Sequence, residues 1–113
     1  GCHINGVGSY TPDMSEIPEY IISHADKIYV DTLDGAVSES GDFIKPIKNG
    51  NFDPDKDITG ELGEKLLGKI AGRENTDEIT FFETTGSAVL DLVVGQKLLE
   101  EAEDKNIGQI IEM

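Results

Sequence analysis

Two strand-forming segments that each run into a glycine-containing turn constrain the fold of this chain most. Residues 1–7 are predicted to form a short strand that enters the turn Gly6–Ser9. Residues 78–84 combine β-branched and aromatic side chains, which is typical of a strand, and lead into the turn Thr84–Ser87. In open parallel sheets, ligands collect beyond the carboxyl ends of the strands. Both turns are therefore candidate binding elements.

Strand-like and helix-like segments alternate along the rest of the chain. A buried strand is predicted over 27–31, helices over 15–25, 35–40, 60–71 and 88–104, a loop over 41–57, and a last strand or tail over 107–113. Such alternation predicts an α/β fold, with a mostly parallel sheet and flanking helices.

The strand count suggests part of a larger sheet. The chain opens directly on a strand, and we count only three or four strands, whereas a doubly wound nucleotide-binding domain has about six. A length of 113 residues allows one domain at most. We therefore expect residues 1–113 to form a single partial domain.

The net charge of −14 limits the classes of partner. It opposes binding to nucleic acid phosphates and to anionic membrane surfaces. Cys2 is the only cysteine, so no intrachain disulfide can form, and this suits a cytoplasmic protein. No apolar stretch reaches the roughly 20 residues that cross a bilayer.

Other motifs do not predict a site. Cys2, His3 and His24 are too few for a zinc set, and we predict no metal. In a strand, His3 is expected to be a packed or hydrogen-bonded residue. Residues 63–70 approach a P-loop pattern, but Ile70 replaces the required Ser or Thr.

The two turns have a functional and a structural interpretation. Glycine lacks Cβ, so the turn backbone could approach a ligand closely and present N–H groups to it. Equally, the turns could be two ordinary strand-to-helix connections. Spacing alone leaves both open.

Taken together, the motifs resemble the ornithine cyclodeaminase/μ-crystallin family over nearly the whole chain. The residues that carry the resemblance, in the family's order and spacing, are 1–14, Val30-Asp31, 39–42, 60–64, Gly68, Gly72-Arg73, 79–88 and Asp91-Leu92.

The resemblance implies the distal part of a Rossmann-like NAD(P)-binding domain. Family members include alanine dehydrogenases and ketimine reductases, which transfer hydride at the carbon of an amine or imine. The implied function is the C-terminal segment of an NAD(P)-dependent oxidoreductase acting on a small amino or imino acid, as a cytoplasmic homodimer or other homo-oligomer. Residues 88–113 would return toward an absent substrate and dimerisation domain.

The resemblance also assigns cofactor contacts. Asn5, Val7, Gly8 and Tyr10 would line the nicotinamide end of NAD or NADP, with Thr84 and Gly86 facing them from the next strand. No catalytic residue is assigned. The family's phosphate-binding loop and its substrate-binding lysine and arginine have no counterpart here, so the chain alone is expected to be inactive.

Two departures from the family pattern narrow the expected activity. Tyr10 and Met14 stand where cyclodeaminases carry an aspartate and then a lysine, which argues against ornithine deamination. Residues 82–86, Phe-Glu-Thr-Thr-Gly, replace the family's Phe-Lys-Ser-Val-Gly. The alternative is a non-catalytic fragment with a role in folding, dimerisation or small-ligand binding.

Overall fold

The computed structural model describes residues 1–111 and has an α/β fold, as the sequence predicts. Its elements in chain order are β1 (His3–Gly6), α1 (Glu19–His24), β2 (Lys27–Val30), α2 (Leu33–Glu39), α3 (Gly41–Lys48), α4 (Pro54–Asp57), β3 (Gly60–Glu61), α5 (Leu62–Leu66), β4 (Thr80–Glu83) and α6 (Ala88–Asp104). The predicted parallel sheet with flanking helices is confirmed.

The four strands found within the described residues form one sheet in the order β1-β4-β2-β3. All pairings are parallel, with Gly6 of β1 and Val30 of β2 both opposite Glu83 of the central strand β4. Because the strands run in one direction, the turns that follow Gly6, Val30 and Glu83 lie at a common edge of the sheet. We call this edge the carboxyl edge.

One face of the sheet carries the hydrophobic core. Ile28 and Val30 of β2 and Phe81 of β4 are almost completely buried there. Phe43 of α3 stacks over this layer, with ring centroids 5.3 Å from Phe52 and 6.0 Å from Phe81. Full burial of one such side chain stabilises the fold by about 1.5–3 kcal/mol.

The opposite face of the sheet borders a cavity of about 680 Å³. Strand alternation places Asn5, Tyr29, Thr80 and Phe82 on this face. Together with Arg73 they are among the residues that line the cavity. The two faces therefore differ, since one is packed by helices and the other is open.

Helix α1 is shorter than the predicted helix over 15–25. It begins after Pro18, whose ψ of 136° is extended. The N–H groups of Glu16 and Ile17 donate to the Asp42 carboxylate, with N···Oδ1 distances of 3.0 and 3.2 Å. These bonds hold the segment before Pro18 outside the helix.

The prediction of a loop over 41–57 was wrong, because α3 and α4 lie there. The Ser40 side chain caps α3 by accepting a hydrogen bond from Asp42 N at 3.2 Å, and Phe43 is completely buried. Asp53 caps α4 in the same manner. Caps and burial outweigh the unfavourable composition of this segment.

The helix predicted over 60–71 is also shorter in the structure. Its first two residues form β3, which pairs with β2. Glu61 and Glu64 then form a capping box at the start of α5. The helix ends at Leu66, and Gly68 follows with a φ of +72°, a conformation that glycine adopts readily.

Helix α6 has the predicted bounds and an unusual surface. Within the described chain it contains no buried residue. Its exposed large apolar side chains are Val89, Leu90, Leu92, Val93, Val94, Leu98 and Leu99. Residues 107–111 form no regular element, and the rest of the strand or tail predicted over 107–113 lies outside the described residues.

Among residues 1–111, no helix is both long enough and apolar enough to cross a membrane.

Candidate functional site

The carboxyl edge brings together the two glycine-containing turns. Thr84 N donates to the carbonyl oxygen of Gly6 at 3.1 Å, which extends the pairing of β1 and β4 by one residue. Val7 and Gly8 directly follow β1, and Gly86 lies three residues beyond the end of β4. The structure therefore places four of the six predicted cofactor-binding residues on adjacent turns.

A short network orders the turn after β4. The Thr84 hydroxyl donates to Asp31 Oδ2 at 2.6 Å and accepts a hydrogen bond from Gly86 N at 3.1 Å. Gly86 has a φ of +93°, and a Cβ built there would meet nothing within 4 Å among the described residues. The backbone at Gly86 is thus held in place beside open space.

Glu16 organises the turn after β1. Its Oε2 accepts hydrogen bonds from Val7 N at 2.8 Å and Gly8 N at 2.5 Å. These two hydrogen bonds lower the pKa of the Glu16 carboxyl, and the bond from Gly8 N–H has the larger effect. Both N–H groups are already satisfied, so a ligand at this turn would meet other atoms. The Val7 and Tyr10 side chains are exposed.

Asn5 lies on the other side of the sheet, facing the cavity. A chain of hydrogen bonds leads to it, from Arg73 Nη2 to Thr80 Oγ1 at 3.0 Å, between Thr80 Oγ1 and His3 Nδ1 at 2.7 Å, and between His3 Nε2 and Asn5 Oδ1 at 3.1 Å. Since Asn5 Oδ1 can only accept, these partners assign the proton of His3 to Nε2. His3 is hydrogen-bonded, as predicted for a strand histidine.

A buried polar cluster under the carboxyl edge was not predicted from the sequence. It consists of Ser9, Ser40, Asp42 and Glu83, all nearly or completely buried. Ser40 Oγ lies 2.9 Å from Glu83 Oε1 and 3.2 Å from Ser9 Oγ. Ser9 Oγ also donates to the carbonyl of Met14 at 3.0 Å. The cluster connects β4, the turn after β1 and the start of α3.

Within the described residues, Glu83 has an unpaired buried oxygen and a raised pKa. Its Oε2 is buried and has no hydrogen-bond partner among residues 1–111. Burial, opposed by the hydrogen bond from Ser40, raises the pKa of Glu83 to about 7, and nearby Asp42, Glu16 and Asp31 add to the increase. A carboxyl group with this pKa changes between its protonated and ionised forms near neutral pH.

The sequence contains a sign of this buried acid. Side chains alternate between the two faces of a strand, so Glu83 shares a face with Phe81. Because Phe81 belongs to the core, an acidic residue two positions later is expected to be buried. Its partner Ser40 lies 43 residues earlier in the chain. No sequence spacing predicts that contact.

In the described part of the chain, no group of three or more His, Cys, Asp or Glu side chains is arranged to hold a metal ion.

Comparison with known proteins identifies the relatives of this chain. The model of the ornithine cyclodeaminase/μ-crystallin family matches residues 1–106. A Δ1-pyrroline-2-carboxylate reductase of Bacillus cereus is 42% identical over 112 residues, which is 99% of this chain and 34% of the relative. The chain thus spans about a third of the length of the curated relatives that it matches.

Solved structures agree with this relationship. The Δ1-pyrroline-2-carboxylate reductase of Thermococcus litoralis, in complex with NADH and L-proline, superimposes with a TM-score of 0.87 at 36% identity, covering 98% of this chain and 34% of that one. An archaeal alanine dehydrogenase dimer with bound NAD gives a TM-score of 0.82 at 34% identity, covering 100% and 34%.

Proposed function

Because the chain belongs to the ornithine cyclodeaminase/μ-crystallin family, we propose that it forms part of an NAD(P)-dependent oxidoreductase that interconverts an amino acid and its imino acid. The observation that carries this proposal is the meeting of the turns after β1 and β4 at the carboxyl edge. Relatives that reduce Δ1-pyrroline-2-carboxylate make this cyclic imino acid the first substrate to test.

The proposed cofactor contacts lie around these turns. Val7, Gly8, Thr84 and Gly86 would line the nicotinamide end of NAD or NADP, with Tyr10 beside them. The open space at Gly86 and the exposure of Val7 and Tyr10 support this assignment. The bound cofactor would supply the hydride for imine reduction or accept it in the reverse direction, while these residues orient its ring and exclude water.

The charge at the edge fits the proposed end of the cofactor. The carboxylates of Glu16 and Asp31 flank the two turns through their hydrogen bonds to Gly8 and Thr84. The oxidised nicotinamide ring is a cation, which carboxylates attract, whereas they repel a pyrophosphate. The two carboxylates therefore suit the nicotinamide end, and the phosphates would be bound elsewhere.

Asn5 would contribute from the cavity side of β1. Its Oδ1 is engaged by the N–H of His3, so its amide NH2 is the group left to meet a ligand oxygen. The carboxamide oxygen of nicotinamide is such an acceptor. This role for Asn5 is part of the same proposal.

Helix α6 supports a proposal about assembly. This helix of 17 residues has no buried residue within residues 1–111 and exposes seven large apolar side chains, and an exposed apolar surface of this kind marks an interaction site. We propose that residues 88–113 pack against a further substrate and dimerisation domain or a second subunit. The dimeric state of the alanine dehydrogenase neighbour supports a homo-oligomer. With a single cysteine, the cytoplasm remains the proposed compartment.

A fluorescence titration with NADH tests the proposed site, using the protein at the length that its cells make. Gly86→Val should weaken binding by about tenfold or more, because valine is strained at positive φ and fills the open space. Gly50→Val is the matched control, since Gly50 also has positive φ with nothing near it but lies after α3. Equal affinity of the wild type and Gly86→Val would contradict the site.

The NADH titration, together with an assay of Δ1-pyrroline-2-carboxylate reduction, distinguishes the second candidate function from the first. A non-catalytic role in assembly is favoured by the exposed apolar face of α6. This role predicts no saturable NADH binding by the wild type and no reduction of Δ1-pyrroline-2-carboxylate. Saturable binding together with turnover would exclude it.

A further inference from the structure

We propose that Glu83 is a positioning residue whose proton locks the turn Gly6–Ser9 through Ser40 and Ser9, so that loss of this proton loosens the nicotinamide end of the site. The functional part of this inference rests on the proposed function. The link between Glu83 and the turn does not, and it can be measured without a cofactor.

The hydrogen bonds of the buried cluster depend on where its hydroxyl protons lie. Ser40 Oγ is within hydrogen-bond distance of both Glu83 Oε1 and Ser9 Oγ, but it has only one proton to donate. When Glu83 is protonated on Oε1, it donates to Ser40. Ser40 can then donate to Ser9, and Ser9 to the carbonyl of Met14 at 3.0 Å. Each serine hydroxyl in this series of hydrogen bonds then both accepts one bond and donates one.

Ionisation of Glu83 changes the hydrogen bond between Ser40 and Ser9. A charged Glu83 accepts the only proton of Ser40, so the donation from Ser40 to Ser9 is lost. Ser9 belongs to the turn, and its partners are Ser40 at the α2–α3 junction and Asp42 N of α3. The turn therefore loses one of its links to the helical layer. A hydrogen bond between buried groups of this kind contributes more to stability than an exposed one.

The charged groups that act on Glu83 are acidic. Asp42 at the start of α3, Glu16 before α1 and Asp31 after β2 are all acidic and raise the pKa of Glu83. No cation among the described residues pairs with it. Ionisation of Glu83 thus adds repulsion from three carboxylates at the same time as it removes the hydrogen bond from Ser40 to Ser9.

Glu83 also lies directly against the first residue of the turn. A Cβ at Gly6 would overlap Glu83 Oε2 and approach its Cδ to 3.1 Å. The carboxyl group therefore lies directly against the backbone from which the turn begins. A charge that appears there acts on the turn without an intervening side chain.

The experiment is an NMR titration of protein labelled with 15N-glycine, followed from about pH 5.5 to about pH 8.5. In the wild type, the amide signals of Gly6 and Gly8 should shift with a common midpoint near the pKa of about 7 of Glu83. Glu83→Gln, which is neutral at every pH and retains a donor for Ser40, should remove this shift. Its signals should stay at the low-pH positions of the wild type.

Controls identify the source of the shift. Glu39→Gln neutralises an exposed carboxylate beside Ser40 and should leave the titration unchanged. Ser40→Ala should keep the shift of Gly6, which contacts Glu83, and reduce that of Gly8. His3→Gln is a further control, because His3 lies in β1 with Gly6 but faces the opposite side of the sheet from Glu83. If Glu83→Gln titrates like the wild type, or if His3→Gln abolishes the shift, the inference is overturned.

A parallel NADH titration connects the turn to binding. For the wild type, the dissociation constant should rise by about fivefold between about pH 6 and about pH 8.5, whereas Glu83→Gln should show little change. NADH binding at constant affinity overturns the functional part of the inference. Absence of NADH binding at every pH refutes the proposed function instead, and the glycine signals alone then decide whether Glu83 controls the turn.

Discussion

Gly6 and Glu83 are paired across β1 and β4, and Gly6 leaves the space that the carboxyl group of Glu83 occupies. The pair joins a buried acid to the first residue of a proposed cofactor-binding turn. Most of the expectations below follow from this contact and from the hydrogen bonds around it.

Gly6→Ala should destabilise the fold by about 1–3 kcal/mol, because its methyl group would overlap the Glu83 carboxyl. Chemical denaturation monitored by circular dichroism measures this loss. Gly63→Ala is the control, since a Cβ at Gly63 in α5 meets nothing within 4 Å among the described residues. It should be neutral or stabilise by up to about 1 kcal/mol. Equal effects of the two changes would contradict the Gly6–Glu83 contact.

The stability of the protein should fall as pH rises through the neutral range. The pKa of Glu83 is about 7 in the folded protein against an ordinary value of 4.5, so the folded state holds a proton that the unfolded state has released. This contribution is complete below pH 4.5 and is lost as pH approaches 7. Between about pH 5.5 and about pH 8 the loss should be about 2 kcal/mol.

Urea denaturation of the wild type and of Glu83→Gln at those two pH values checks this expectation. The amide cannot ionise, so the difference between the two proteins should grow in favour of Glu83→Gln as pH rises. A difference that stays constant would show that Glu83 is already ionised at low pH.

Glu16 should show the opposite dependence on pH. Its pKa is lowered by the N–H groups of Gly8 and Val7, so its contribution is present above the ordinary value of 4.5 and is lost as pH falls through its lower folded pKa. The protection factor of the Gly8 amide, which is its hydrogen-exchange rate by NMR compared with the intrinsic rate at the same pH, should fall in acid. Glu16→Gln should remove this acid-dependent step, whereas Glu19→Gln, an acidic residue nearby in α1, should retain it.

Phe43→Ala should cost about 3–5 kcal/mol, because Phe43 is completely buried against Phe52 and Phe81. This change tests α3, the helix that composition assigned to a loop. Leu66→Ala is the control, since Leu66 is 78% exposed, and it should alter the free energy of unfolding by less than about 0.5 kcal/mol. Similar costs for both changes would contradict the packing of α3.

Local sequence patterns were sufficient for β1, β2, β4 and the last helix, whereas β3 lies within the helix predicted over 60–71 and was missed. The β-branched and aromatic residues of β4 and the periodic apolar residues of α6 indicate these elements from a few neighbouring positions, and β1 is likewise recognised locally. In contrast, α3 depends on the Ser40 cap and on the burial of Phe43 against Phe52 and Phe81. Long-range contacts of this kind override local propensity.

The candidate site was predictable only in part. The glycine turns and their meeting at the carboxyl edge follow from parallel strands. The bonds of Glu16 to Val7 and Gly8 do not, because they cross an irregular loop. The contact between Ser40 and Glu83 joins residues that are distant in sequence and depends on how α3 packs on the sheet. These two sets of contacts determine which atoms of the turn remain for a ligand.

The most direct test is to map NADH onto the protein by amide chemical-shift changes, at the chain length that its cells make. A nicotinamide site at the carboxyl edge predicts the largest changes at Val7, Gly8, Thr84 and Gly86, with smaller changes at Asn5. Changes confined to α6 or to the residues around Arg73 and Tyr29, or no changes at saturating NADH, would contradict it.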